Sequence, residues 1–185
     1  EVYNSLAIAW YMKSDYKEAL LYNEKALDIR LKFGDDYSKL SSYSKMGNCY
    51  HELGEYDEAI DFYLRSMKIC EDNELVQHTG QMCNNIGELF KLQKNYKKAR
   101  EYFEDATDIA IQIGDTIGYC RALTNLGVMN ENLENYDQAD SIYRLAYKYV
   151  KGKKYYDLEG GLLINMGGFY RSQGQTAKGI EFYEK

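Results

Sequence analysis

The chain contains 185 residues, of which 45% are hydrophobic and 28% are charged. These proportions are typical of globular and repeat proteins, and they exclude a disordered chain. A net charge of -6 argues against a protein that binds nucleic acid by neutralising its phosphates. The longest aliphatic run, residues 162–164, is too short to span a bilayer. The sequence therefore predicts a folded chain with neither a nucleic-acid partner nor a membrane span.

The predicted elements are helices along the whole chain. Apolar residues return at spacings of three and four residues, and no proline interrupts them. Short polar turns separate the helices at residues 13–15, 53–55, 93–95, 133–135 and 173–175. Pairing the helices across these turns gives repeats at about 1–35, 36–75, 76–115, 116–155 and 156–185. We predict an all-α protein of about five helix-turn-helix repeats.

The ends of several helices carry recognisable signals. Asp15 lies three residues before Glu18, and Asn135 lies three residues before Gln138. An N-cap residue and its reciprocal partner have this spacing. Gly34 and Gly114 lie where two of the second helices are predicted to end. We expect these glycines to close the helices in the left-handed conformation.

The helices form an internal repeat with a period of 40 residues. Small residues recur in each first helix at Ala7, Gly47, Gly87, Gly127 and Gly167. A second small series runs through Ala19, Ala59, Ala99, Ala139 and Gly179. An aromatic series opens the second helices at Tyr16, Tyr56, Tyr96 and Tyr136, and Thr176 interrupts it. Small residues allow crossing helices to approach and aromatic rings fill the space beside them, so we interpret all three series as packing residues.

This order of residues resembles the tetratricopeptide repeat (TPR) family along the whole chain. In the second repeat it reads Met46, Gly47, Tyr50, Gly54, Tyr56, Ala59, Tyr63 and Ser66. The first repeat departs from it at Ala7 and Asn23, and the fifth at Thr176 and Gly179. The family's usual period is about 34 residues. The longer period here is similar to that of Pins-type polarity adaptors and Rap-type bacterial peptide receptors.

The resemblance implies an architecture and a location for function. It implies that residues 1–185 form one domain, an α-solenoid whose repeats stack into a right-handed superhelix. It also implies that the first helix of each repeat lines the concave surface, where such proteins bind their partners. Because the chain starts at Glu1 and stops within a predicted helix at Lys185, we expect it to be an excised part of a longer protein.

Candidate binding residues lie at the positions implied to line this surface. The resemblance implies six lining positions in each repeat, or thirty in all. Seven of the chain's twelve asparagines fall among them. An asparagine amide donates and accepts hydrogen bonds, so a row of amides can bind the backbone of an extended peptide. The alternative is that asparagine is merely tolerated on a polar surface. The predicted ligand-binding residues are Asn48, Asn85, Asn125, Asn165, Lys45, Arg121 and Glu88.

One subgroup of the family grips a C-terminal carboxylate with a clamp of lysine, asparagine and arginine side chains. Asn48, Asn85 and Arg121 fall at positions that match this clamp. However, Ser44 replaces a lysine and Asn125 replaces an arginine, so two of the five donors are missing. The comparison favours a general peptide groove over a receptor for chain ends.

The sequence lacks a recognisable catalytic or metal-binding constellation. His51 and His78 lie in different repeats without a carboxylate or cysteine at a diagnostic spacing. The glycine-rich stretch at 160–168 lacks the lysine and hydroxyl of a phosphate-binding loop. We predict that the chain has no catalytic residue, no metal ligand and no cofactor, and that it is not an enzyme.

Cysteine usage bears on the cellular compartment. The four cysteines form no C-x-x-C pair and fall at apolar helical positions, at Cys49, Cys70, Cys83 and Cys120. This pattern favours buried free thiols in a reducing compartment over disulfides or metal binding. It indicates a cytoplasmic protein, or a periplasmic one if a signal peptide has been removed.

Two functions of different class follow. The first is a non-catalytic module that binds an extended peptide or protein segment in its groove, as the sensing or adaptor part of a larger protein such as a bacterial regulator. The second is a scaffold that spaces other domains or associates with itself. The sequence leaves the oligomeric state open.

Overall fold

The computed structural model describes all residues from Glu1 to Lys185 and contains ten α-helices and no strand. The helices are α1 (Val2–Met12), α2 (Tyr16–Phe33), α3 (Asp36–Leu53), α4 (Tyr56–Asp72), α5 (Val76–Leu92), α6 (Tyr96–Ile113), α7 (Thr116–Asn132), α8 (Tyr136–Val150), α9 (Tyr156–Ser172) and α10 (Thr176–Tyr183). Odd-numbered helices are the first members of the five pairs, and even-numbered helices are the second. The predicted all-α class and helix-turn-helix repeats are confirmed.

The predicted N-caps differ in outcome. The carboxylate of Asp15 accepts a hydrogen bond from the backbone N–H of Glu18 at 3.3 Å, so this cap is confirmed. The cap predicted at Asn135 is wrong, because its side chain accepts no bond from the start of α8. Its Nδ2 instead donates to Oδ1 of Asn130 at 3.4 Å. Asn130 is buried, and a buried amide oxygen is costly to leave without a donor.

The two glycines at helix ends also differ. Gly114 ends α6 with a φ of 69°, in the predicted left-handed conformation. The same expectation is wrong for Gly34, whose φ of -87° and ψ of 153° are extended. A Cβ atom at Gly34 would lie 2.6 Å from the carbonyl oxygen of Arg30. Glycine is therefore required there by a close backbone approach rather than by a left-handed turn.

The helices group into two compact units. Unit 1, Glu1–Gln93, contains α1 to α5, and unit 2, Lys94–Lys185, contains α6 to α10. Within each unit, every helix packs against the next one along the chain. In unit 2, the first helices α7 and α9 also contact each other. That residues 1–185 form a single domain stays a prediction.

The small residues of the repeat lie at close helix contacts, as predicted. A Cβ atom added to Gly47 would lie 2.7 Å from the ring of Tyr63 on α4. In unit 2, a Cβ atom on Gly127 would lie 2.4 Å from the ring of Tyr143 on α8. The alanines of the second small series are fully buried, at Ala19, Ala59, Ala99 and Ala139. These residues therefore serve packing within the helix pairs.

All four cysteines are buried and none forms a disulfide, as predicted for their side chains. None of the ten helices has the length and apolar character needed to cross a bilayer. No cluster of three or more His, Cys, Asp or Glu side chains could hold a metal ion.

Candidate functional site

The predicted ligand-binding residues all lie on first helices and divide between the two units. In unit 1 they are Lys45 and Asn48 on α3, and Asn85 and Glu88 on α5. In unit 2 they are Arg121 and Asn125 on α7, and Asn165 on α9. Each unit therefore carries two of the four predicted asparagines.

Three of these asparagines have amides available to a ligand. The side chains of Asn85, Asn125 and Asn165 are partly exposed and make no hydrogen bond within the protein. Other asparagines are already engaged: Nδ2 of Asn84 donates to the carbonyl of Gly80, and Nδ2 of Asn132 to that of Val128. The three unengaged amides share one position of the 40-residue repeat.

Asn48 is held by a residue of the second helix of its own pair. The hydroxyl of Tyr63 donates to Oδ1 of Asn48 at 2.6 Å. Its ring reaches α3 because Gly47 has no side chain in its way. This bond fixes the amide and leaves Nδ2 of Asn48 as the group that a ligand can meet.

The corresponding tyrosine in unit 2 reaches a carboxylate instead. The hydroxyl of Tyr143 donates to Oε2 of Glu131 on α7 at 3.3 Å, and Ser172 on α9 donates to Oε1 at 3.4 Å. Burial raises the pKa of Glu131, and the two hydrogen bonds oppose that rise. Glu131 therefore links the two first helices of this unit, a role that the sequence did not indicate.

Glu88 is paired rather than free. Its carboxylate lies 2.5 Å from Nζ of Lys91, one helical turn further along α5. Both side chains are partly exposed, so the ion pair adds little to stability. It does neutralise both charges on this part of α5.

Lys45 lies in a different electrostatic environment. Its Nζ donates to Oδ1 of Asn4 on α1, and Nη2 of Arg30 lies 3.5 Å from the same oxygen. Nη1 of Arg30 donates to Oγ of Ser42 at 2.7 Å and to the carbonyl of Ser38 at 3.3 Å. Burial and the charge of Arg30 lower the pKa of Lys45. Two cations thus share one neutral amide oxygen, and neither is in an ion pair.

An open cleft of about 100 Å³ lies beside Lys45 in unit 1. Its lining residues are Ala7, Ile8, Tyr11, Asn23, Lys45 and Asn48. Asn23 occupies the repeat position where Tyr63 and Tyr143 place aromatic rings. Because the amide is smaller than a ring, this departure from the repeat pattern leaves space between α1 and α3.

Arg121 lies at a second cleft, in unit 2, of about 480 Å³. The residues that line it are Ile117, Arg121, Lys154, Tyr155, Tyr156, Asp157 and Leu158. Arg121 is exposed, and Asp157 adds a negative charge to the two cations of this cleft. The cleft is wider and more open to solvent than the one beside Lys45.

Sequence reasoning missed Arg30 and Ser42, although a signal was present. In the other complete repeats, the position of Arg30 holds a buried small or apolar residue: Cys70, Ala110 and Val150. The position of Ser42 holds Met82, Ala122 and Leu162, which are also buried. A cation and a hydroxyl at positions that are apolar in the later repeats indicate that the junction of the first and second repeats is specialised.

Known proteins share this architecture. Response regulator aspartate phosphatase A of Bacillus subtilis (strain 168) is 25% identical over 181 residues, covering 95% of this chain and 45% of the relative. The chain thus spans less than half the length of that relative. The crystal structure of BtubC (BKLC) from P. vanneervenii has a TM-score of 0.83 at 22% identity, covering 97% of this chain and 74% of that one.

A Rap protein complexed with Competence and Sporulation Factor has a TM-score of 0.80 at 16% identity, covering 98% of this chain and 51% of that one. These structural likenesses establish the fold. A tetratricopeptide repeat family model matches residues 1–72 and 78–151, which is more than half of the chain. With the helix pairs, the 40-residue period and the glycine–tyrosine contacts described above, this match identifies the chain as a member of the tetratricopeptide repeat family.

Proposed function

We propose that this chain is a non-catalytic module whose first helices bind an extended peptide or protein segment. The observation that carries the proposal is the set of unengaged amides at Asn85, Asn125 and Asn165. Each presents a donor and an acceptor to solvent, which is what the backbone of an extended peptide requires. Lys45, Asn48, Arg121 and Glu88 would supply further polar contacts.

The relatives support a binding role. One solved protein with the same fold is a Rap protein in complex with Competence and Sporulation Factor. The Bacillus relative is named a phosphatase, but this chain spans only 45% of it. We therefore propose that the present chain supplies recognition, within a larger regulatory or adaptor protein. A cytoplasmic location, supported by four buried cysteines that form no disulfide, belongs to the same proposal.

The proposal is tested by screening the purified chain against a random peptide library and titrating the best binder by calorimetry. We expect saturable binding with one peptide per chain. Failure of every peptide to bind, together with concentration-dependent self-association in analytical ultracentrifugation, would favour the scaffold function instead.

A further inference from the structure

We propose that the cleft between α1 and α3 is a subsite for a carboxylate carried by an acidic side chain of the bound peptide. Nζ of Lys45 and Nδ2 of Asn48 would donate to the carboxylate, and Arg30 would add positive charge behind them. This inference rests on the proposed function, which it deepens by naming the chemistry that one part of the groove selects.

The first support is an excess of positive charge. Lys45 and Arg30 converge on Oδ1 of Asn4, and no carboxylate lies within ion-pair distance of either cation. Hydrogen bonds from Ser38 are the main cause of the lowered pKa of Asp35, and the charge of Arg30 contributes less. The carboxylate of Asp35 caps α3 by accepting from the backbone N–H of Ser38 at 2.7 Å. Two partly buried cations held by neutral oxygens are not fully compensated, so an added anion would be favourable.

The second support is the balance of donors and acceptors in the cleft. An ammonium group has three N–H donors, and Nδ2 of Asn48 has no partner within the protein. The amide of Asn23 is turned to Sγ of Cys49 at 3.6 Å. The hydroxyl of Tyr11, which lines the cleft, donates to the carboxylate of Glu52 at 3.4 Å, and Glu52 forms no ion pair with Lys45 or Arg30. Lys45 and Asn48 therefore offer unused donors to the cleft, which an anionic acceptor would satisfy.

The third support is the size and shape of the cleft. A cavity of roughly 150 Å³ can hold a benzene molecule. The cleft of about 100 Å³ therefore suits a smaller group, such as a carboxylate and its adjoining methylenes. Ala7 and Ile8 supply apolar lining for the methylenes, and Lys45 and Asn48 supply polar groups to the same cleft.

The fourth support is that three departures from the repeat pattern meet at this place. Asn23 opens the cleft where other repeats hold a ring, and Arg30 and Ser42 stand where the later repeats hold buried residues that are small or apolar. The hydrogen bonds of Arg30 to Ser42, Ser38 and Asn4 join three helices, but they leave its charge without an anion. A site that selects an anion would use that charge.

The subsite can be tested with a small probe that does not depend on any peptide. N-acetyl-glutamate amide and its neutral analogue N-acetyl-glutamine amide are titrated into the full chain at constant ionic strength, and NMR follows the side-chain signals of Lys45 and Asn48. We expect saturable shifts with the acid and none with the analogue. Lys45→Gln should weaken binding of the acid roughly tenfold, because a charge-assisted hydrogen bond is lost.

Two further variants test the site without removing a cation. Asn4→Asp places a carboxylate where both cations converge, so we expect a higher thermal midpoint and weaker binding of the acid. The double variant Ala7→Gly/Asn23→Tyr restores the pattern of the other repeats and fills the cleft. It should therefore fold but no longer bind N-acetyl-glutamate amide. Lys91→Gln is the matched control, because Lys91 is already paired with Glu88, and it should bind the acid as the wild type does.

Equal shifts with the glutamine analogue, or binding that survives both Lys45→Gln and Asn4→Asp, would overturn the subsite. The best library peptide is then compared with its Glu→Gln and Asp→Asn analogues. If the analogues bind as tightly as the parent peptide, the subsite is contradicted, and the proposed function is not affected. Binding of the small acid without any peptide ligand would support the subsite and count against the proposed function.

Discussion

The hydroxyl of Tyr63 on α4 donates a hydrogen bond of 2.6 Å to Oδ1 of Asn48 on α3. A residue of a second helix thereby orients an amide on a first helix. The contact depends on Gly47, since a Cβ atom there would lie 2.7 Å from the ring of Tyr63. The packing pattern of the repeat and the polar groups of the candidate site are therefore physically linked.

Removing this hydroxyl should have a measurable cost. We expect Tyr63→Phe to lower the free energy of unfolding by about 0.5 to 1.5 kcal/mol, because the bond to Asn48 is lost while the ring still fills its place. Urea unfolding measures the change. Tyr136→Phe is the control, because that hydroxyl makes no hydrogen bond within the protein and the side chain is 40% exposed. Equal losses in the two variants would contradict the role of the bond.

The close contact at Gly127 predicts opposite effects for two glycine substitutions. Gly127→Ala would place a Cβ atom 2.4 Å from the ring of Tyr143, so we expect a loss of about 1 to 3 kcal/mol. Gly161 is also helical, but no atom lies within 4 Å of its added Cβ. Gly161→Ala should therefore be neutral or stabilising, by up to about 1 kcal/mol. Chemical unfolding measures the free energy of unfolding of both variants. An unchanged value for Gly127→Ala would contradict the close contact between Gly127 and the ring of Tyr143.

Glu131 should give the protein a specific pH dependence. Because burial raises its pKa, the folded chain holds this proton more tightly than the unfolded chain does. The resulting stability is present below the ordinary pKa of a glutamic acid and is lost as the pH rises through the folded pKa. A glutamine at position 131 does not titrate. We therefore expect the free energy of unfolding of Glu131→Gln to increase relative to that of the wild type as the pH rises through this range. Urea unfolding at a series of pH values measures the difference.

One variant tests the cause of the Glu131 shift, and a second variant provides a comparison at another carboxylate. Tyr143→Phe removes a hydrogen bond that favours the carboxylate, so it should raise the pKa of Glu131 further in an NMR titration. Asp35→Asn is a comparison of opposite sign, because contacts with Ser38 lower the pKa of Asp35. The stability that Asp35 provides is present above its ordinary pKa and is lost as the pH falls through the lowered value. A Glu131 pKa at or below its ordinary value would refute the prediction.

Replacing Asn125 and Asn165 of unit 2 together by alanine should weaken the best library peptide by about 1 to 3 kcal/mol, because two amides would lose hydrogen bonds to it. Folding should be unaffected, since neither side chain has a partner within the protein. Asn132→Ala is the matched control, because its amide bonds to its own helix at 2.8 Å. Calorimetric titration gives the affinities. Unchanged affinity in the double variant would count against the proposed binding face.

Short-range patterns in the sequence determined the helices and their pairing. Apolar spacing, the polar turns and the recurring glycines, alanines and tyrosines each depend on residues within one helix pair, so a 40-residue repeat was enough to predict them. The assignment of the candidate residues to first helices followed from the same register. Nothing about these features required knowledge of how distant residues meet.

Only the tertiary structure decided which polar groups are engaged. Lys45 and Asn4 are 41 residues apart, yet they share a hydrogen bond, and Arg30 from a second helix joins them. Gly34 was predicted to adopt the left-handed conformation, but its backbone is extended and lies close to that of Arg30. Whether an asparagine is bound internally or left for a ligand depends on distances of a few tenths of an ångström between packed helices. Hydrogen bonds require such precision, and periodicity along the chain does not contain it.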